Sequence, residues 1–387
     1  MQRRQFLFGG AAAVAALWLP EAALAQVARD ARGYRRLLVL VELKGGNDGL
    51  NTVVPYADPA YYALRPRIAV KRDEVLQLDA RTGLHPALAS LVPLWRAGEL
   101  AVVQGLGYPD PNLSHFRSIE IWDTASASDQ YLDAGWLARV FAAQPVPVGF
   151  AADGVVVRSN DMGPLAGPGT RAIALNDPGQ FKREARLARA VGRRGNEALN
   201  HILAVEADIV KAAAHLSQDV RFRTEFPQGP FGEAVRTAAE LAANRAGVAA
   251  VRISLNGFDT HHAQPGQQQR LLAELAGGLA ALKSALIEIG RWDSTLAFTY
   301  TEFGRRPREN DTLGTDHGTA NAHFVLGGRV RGGLYGQAPR FDDLEEGNLH
   351  YAVDFRSLYA TALERWWGVD SARVLEGRFT GLDLLKV

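Results

Sequence analysis

Apolar residues along the chain fall into two kinds of run. Continuous stretches of strand length, at 37–43, 100–105 and 248–255 and again from Leu296, are apolar on both faces, as strands of a sheet covered on both sides are. Between them lie segments with helical spacing at 83–98, 231–246, 267–290 and 356–367, the last carrying Trp366 and Trp367 to pack it on the sheet. Residues 146–150 and 154–158 read as two further strands, and 162–169 as a Gly/Pro loop. Asp177-Pro178 is a helix start, with Asp as cap and Pro at the first helical position, and a helical pattern runs from there to about residue 217. The alternation predicts an α/β fold: one large doubly wound domain with a mostly parallel sheet, interrupted by a helical insertion near 177–217.

The polar residues at the end of each apolar run are more informative than the run itself. The first strand leads into Lys44-Gly45-Gly46-Asn47-Asp48-Gly49-Leu50-Asn51, which places Asp48 and Asn51 at a strand end; turn chemistry and ligand chemistry both fit an Asp there. The strand at 248–255 ends in Asn256-Gly257-Phe258-Asp259-Thr260-His261-His262, where an acid with imidazoles two and three residues on is a metal-ligand spacing. The strand from Leu296 ends at Glu302 and is followed by Arg305, then by a loop carrying Asp316 and His317, then by another apolar strand. In the segment Pro109 to Ala125, Ser114 stands as N-cap of a helix over 115–122. A serine in that position is either a cap or a nucleophile activated by the helix N-terminus. His201 and His215, on the helical insertion, read as ordinary surface or core histidines.

Composition narrows the chemistry. The chain has 387 residues, no cysteine, and 43 basic against 42 acidic residues, for a formal charge of +1. Such a balance gives no reason to expect a nucleic-acid partner, and without thiolates any metal site must use imidazole and carboxylate, which suit zinc, iron, manganese, calcium or magnesium. At the start of the chain, Arg3 and Arg4 precede an apolar Ala-rich run at 7–19 that is closed by Ala23-Leu24-Ala25. Paired arginines before a short apolar core and a small-x-small site are the pattern of a twin-arginine export signal. Residues 1–25 are therefore expected to be a signal peptide read by the twin-arginine translocase, and 26–387 the mature domain, periplasmic or secreted and without a stable membrane span after cleavage.

Hard carboxylates and imidazoles at several strand ends of one sheet can hold two divalent ions about 4 Å apart around a hydroxyl or water nucleophile, and Arg305 is placed to clamp an anion. The leader, GGNDGLNT, PNLSHFRSIEIWDTA, FDTHH, TEFGRRPREN and TDHGTANAHFVLGG together resemble the uncharacterised exported family called domain of unknown function 1501, across essentially the whole chain. That family in turn resembles the alkaline phosphatase and sulfatase superfamily, which implies a three-layer α/β sandwich with one or two divalent metal ions. The resemblance implies Ser114 as nucleophile, with His115 or a metal-bound water assisting proton transfer. It implies metal ligands among Asp48, Asn51, Asp259, His261, Glu302, Asp316 and His317. Where the superfamily carries Asp-His, this chain reads Glu302-Phe303, so one imidazole of a second ion is missing. The expected activity is hydrolysis of a small anionic phosphate or sulfate ester. The alternatives are a metal-dependent head-group transferase or mutase, and a non-catalytic secreted binding or assembly protein that retains the fold.

Overall fold

The computed structural model describes residues 33–177 and 220–386. The expected signal peptide, nearly all of the expected helical insertion, His201 and His215 lie outside the described residues. A nine-stranded sheet forms the middle of the molecule. Its strands are β1 (Leu37–Lys44), β2 (Leu100–Gly107), β3 (Ala152–Val157), β4 (Ala172–Leu175), β5 (Val248–Asn256), β6 (Thr295–Tyr300), β9 (Asn321–Leu326), β10 (Gly333–Gly336) and β11 (Val353–Asp354). Two further strands, β7 (Gly304–Glu309) and β8 (Thr315–Gly318), form a separate antiparallel hairpin above the sheet edge.

The strand order across the sheet is β10-β2-β9-β6-β1-β5-β3-β4, with β11 also pairing β2. Strands β6, β1, β5, β3 and β4 run parallel, whereas β9 is antiparallel to both β6 and β2. The carboxyl ends of β1, β5 and β6 therefore meet at one edge, in register from Leu43 opposite Leu255 and from Glu42 opposite Tyr300.

The apolar runs are explained by two-sided burial. Leu37, Val39, Val41 and Leu43 of β1 face one core, which includes residues of helices α3 (Pro230–Ala243) and α4 (Gln264–Glu288). Leu38 and Leu40 face the other, built with α1 (His115–Thr124), α2 (Trp136–Ala143) and α5 (Phe355–Ala360). This is the three-layer α/β arrangement expected from the sequence. Truncating a fully buried leucine of α4 such as Leu275 should cost about 2–5 kcal/mol. Trp366 and Trp367 anchor the end of the chain to the start of β1: their indole N–H groups donate to the carbonyls of Leu37 and Arg36 at 3.2 and 2.8 Å.

Three expectations change. Residues 146–150 form a loop, because Pro145 and Pro147 remove the N–H donors a strand there would need. The helical spacing at 83–98 is realised as a short strand, a 3-10 helix (Pro86–Leu91) and a five-residue helix (Val92–Arg96), with Leu88 outside helical geometry at the break. The polar segment after Glu302, with the expected loop at Asp316 and His317, is the β7–β8 hairpin. Among the described residues, no helix is long and apolar enough to cross a membrane.

Candidate metal centre

Four side chains converge above the carboxyl ends of β1, β5 and β6. Asp259 follows β5 and lies at their centre. Its Oδ1 is 3.0 Å from His261 Nε2 and 3.2 Å from His317 Nε2, while its Oδ2 is 3.4 Å from His115 Nε2. The ligand atoms offered by His115, Asp259 and His317 all lie within 4.8 Å of one another, and His261 Nε2 is 3.0 Å from His317 Nε2. The group is reachable from outside, since the Asp259 side chain is 46% exposed and those of the imidazoles 22–35%.

Each imidazole is oriented by an oxygen on its far nitrogen. His115 Nδ1 is 2.9 Å from Glu302 Oε1, His317 Nδ1 donates to the carbonyl of Leu113 at 2.8 Å, and His261 Nδ1 lies 3.5 Å from Asp316 Oδ1. Since a backbone carbonyl only accepts, the proton of a neutral His317 resides on Nδ1 and its Nε2 lone pair faces the Asp259 carboxylate. Two acceptors then meet at 3.2 Å, a contact that a proton or a cation must bridge. Carboxylate and carbonyl partners on the outer nitrogens are the usual support of metal-binding imidazoles. Three imidazoles and one carboxylate fit a borderline divalent ion such as zinc, iron or manganese better than calcium or magnesium.

Electrostatics divide the cluster. Burial alone would raise the Asp259 carboxyl, but the hydrogen bond and charge of Arg305 hold it at about 2. Glu302 is likewise kept below the ordinary carboxylate range, its burial outweighed by the hydrogen bond from His115. In return that bond raises His115, while desolvation lowers His317.

The sequence explains how these loops are held together. Gly45, at φ +116°, lies where a Cβ would sit 2.4 Å from the backbone nitrogen of Asp259, so only glycine lets the first loop approach the second. Its N–H donates to Glu302 Oε1 at 2.9 Å. Hairpin residues Asn310 and Thr312 hold the His261 carbonyl through side-chain hydrogen bonds of 3.0 and 2.7 Å. Phe303 is buried, with its ring centroid 4.9 Å from that of His115 and 4.3 Å from that of His317, and it forms an apolar wall behind both imidazoles.

Other candidates sit elsewhere or act differently. Asp48 is fully buried beside Arg65, whose Nη1 is 2.6 Å from Asp48 Oδ2; the same carboxylate accepts from Gln264 and from the N–H groups of Leu50 and Asn51. Asn51 donates to the carbonyl of Ile68 and accepts from Tyr61 and Arg65. Both residues are thus committed to an internal network rather than to the imidazole cluster. Arg305 spends its guanidinium on the carbonyls of Gly45, Gly46, Phe258 and Thr315 and on Asp259. It pins the loops instead of offering a fork to an anion. Glu302 orients His115, and Asp316 flanks His261 and accepts from Asn310 at 3.2 Å.

Ser114 is the N-cap of α1, exposed, and its hydroxyl makes no capping bond. It stands between Leu113, whose carbonyl holds His317, and His115. His115, read from the sequence as an aid to proton transfer, is part of the cluster. Sequence reading missed Arg65 and Gln264: neither lies in a ligand-like spacing, and only the fold brings them to Asp48.

A family model described as "Protein of unknown function (DUF1501)" matches residues 80–379. None of the curated proteins matches. Among solved structures the chain is similar to Ps i-CgsB, with a TM-score of 0.44 and 11% identity, covering 88% of this chain and 74% of that one. It is similar to the phosphonate monoester hydrolase SpPMH from Silicibacter pomeroyi, with a TM-score of 0.42, 10% identity and coverage of 88% and 75%. The PsFucS1 sulfatase from Pseudoalteromonas sp. gives a TM-score of 0.41, 12% identity and coverage of 95% and 76%.

Proposed function

The chain belongs to the family Protein of unknown function (DUF1501), and we propose that this member is an exported hydrolase of phosphate or sulfate esters that works with one divalent ion and Ser114 as nucleophile. The observation that carries the reading is the convergence of three imidazole Nε2 atoms on Asp259, each imidazole with an oxygen partner at or near its Nδ1. One ion is favoured over two because Asp48 is neutralised by Arg65 and an apolar ring, Phe303, follows Glu302.

His115, Asp259, His261 and His317 would hold the ion. When bound, it supplies Lewis-acid charge that polarises the ester and lowers the pKa of a neighbouring hydroxyl. The residues of the chain do the rest. Glu302 and the Leu113 carbonyl keep two imidazole protons on Nδ1, so their Nε2 atoms stay available. Arg305 keeps Asp259 ionised and fixed. At the start of α1 the unpaired N–H groups favour an anion beside Ser114. The Ser114 oxygen forms a bond to phosphorus or sulfur as the bond to the departing alcohol breaks, and its proton passes through solvent to the alcohol. Water then cleaves the seryl ester and regenerates the hydroxyl.

Elemental analysis of the exported protein should find about one transition ion per chain, and a metal-free, correctly folded preparation overturns the reading. With metal loaded, Ser114→Ala should abolish turnover of aryl phosphates and sulfates while metal content stays the same. Full turnover by that variant would leave water as the nucleophile. A metal-loaded wild-type protein that turns over no ester points instead to the binding protein.

A further inference from the structure

At the same edge of the sheet, beyond the end of β2, a second cavity of about 220 Å³ opens between the Gly49–Thr52 turn, the start of β9 and the segment after β10. Its floor is apolar, with Leu50, Val53, Ala322 and Leu349 buried beneath it. Gln104 borders it. This side chain belongs to a residue only 5% exposed, yet its amide has no hydrogen-bond partner among the described residues.

The backbone explains this. The register between β9 and β2 slips at Gly105, which has φ +71°, so that Asn321 faces Leu106 and Ala322 faces Gln104. This bulge re-phases the strand. Ala101, Val103 and Leu106 all join one core while Leu100 and Val102 join the other, and Gln104, in phase with the latter pair, borders the cavity instead of that core. The amide opens on the cavity, where a ligand with an adjacent donor and acceptor can meet both of its groups.

The rim narrows the ligand further. The arginines that line it are already paired, Arg340 with Asp342 at 3.1 Å and Arg305 with Asp259 at 2.7 Å, and Asp343 lies 3.4 Å from His350. Tyr351, 41% exposed, presents its ring there and has no hydrogen-bond partner among the described residues. An apolar floor, an unpaired amide, an open tyrosine and a balanced rim suit a neutral ring with an apolar C–H face and vicinal hydroxyls. We propose that this cavity is a binding subsite for one neutral sugar ring, with Gln104 meeting a pair of hydroxyls or an acetamido group and Tyr351 covering the ring. The proposal rests on the cavity alone and does not require the metal centre to be catalytic.

The test is ligand-observed NMR on the full-length protein with glucose, galactose, mannose and N-acetylglucosamine as probes in the millimolar range. At least one should bind, and Gln104→Leu and Tyr351→Ala should each weaken it about tenfold without shifting the melting temperature. Chelating the metal should leave that affinity unchanged. If no probe binds, or neither substitution weakens binding, the proposal fails. Binding that vanishes on chelation but survives both substitutions moves the sugar to the imidazole cluster and also overturns it.

Discussion

Glu302 Oε1 lies 2.9 Å from His115 Nδ1 and accepts a hydrogen bond from it, which turns the opposite imidazole nitrogen toward Asp259. A residue that resembles a metal ligand in the sequence thus acts one bond further out, on the ring that would touch the ion. Glu302→Gln keeps an oxygen for the Gly45 N–H but removes the carboxylate. We expect zinc or manganese affinity, read by equilibrium dialysis, to fall about 10–100-fold with little change in melting temperature. An unchanged affinity would mean that His115 does not need this partner.

Asp48 and His317 should respond oppositely to substitution. Asp48→Ala strands Arg65 without a counter-charge in a fully buried site, which should cost about 3–5 kcal/mol in denaturant unfolding and leave the metal-to-protein ratio as it was. His317→Ala should do the reverse, lowering metal content with a far smaller loss of stability. Metal loss in the Asp48 variant at a temperature where it is still folded would return Asp48 to the ligand set.

How much of this was legible in the sequence depends on distance. The central strands β1, β2, β5 and β6 announced themselves because two-sided burial demands unbroken apolar runs. Asp259, His261 and His317 were visible because strand ends carried ligand-like residues at suitable spacing. The role of His115 was not, since nothing local reveals that α1 aims its first turn at β5 and β6. The β7–β8 hairpin was hidden by its polar composition, and its Asn310 and Thr312 tie it to the His261 loop, far away in sequence. Asp48 looked like a ligand because Arg65, its partner, lies a helix away in sequence.

Stability should decline on mild acidification for reasons unrelated to the cluster. Burial holds His85 at about 4 and His323 at about 3, both below the ordinary histidine value of 6.5. Between those values and 6.5 the unfolded chain takes up the proton and the folded chain does not, so stability is full above about pH 6.5 and falls as the pH drops toward 4. The loss is on the order of 3 kcal/mol for each residue. His85 Nδ1 accepts from the N–H of Ala87 at 3.0 Å, a cap that protonation removes. His85→Asn keeps a capping oxygen and should flatten part of this dependence in denaturant melts followed from pH 7 to pH 4.5. A slope identical to wild type would acquit His85.

Gly45→Ala tests the seam between the first loop and Asp259. The added methyl meets the Asp259 backbone at 2.4 Å from a left-handed conformation, so we expect a loss of about 1–3 kcal/mol together with weaker metal binding. A variant as stable and as metal-loaded as wild type would show that the two loops move apart freely.

The cluster's residues are synthesised far apart in time. His115 comes from the first third of the chain, Asp259 and His261 from beyond the middle, and His317 from a segment made late. β9, which closes the sheet between β2 and β6, is made later still. A chain that stops short of His317 therefore lacks part of the cluster, and one that stops short of β9 lacks the strand between β2 and β6. An ion held by the complete set would therefore mark a chain whose sheet has closed.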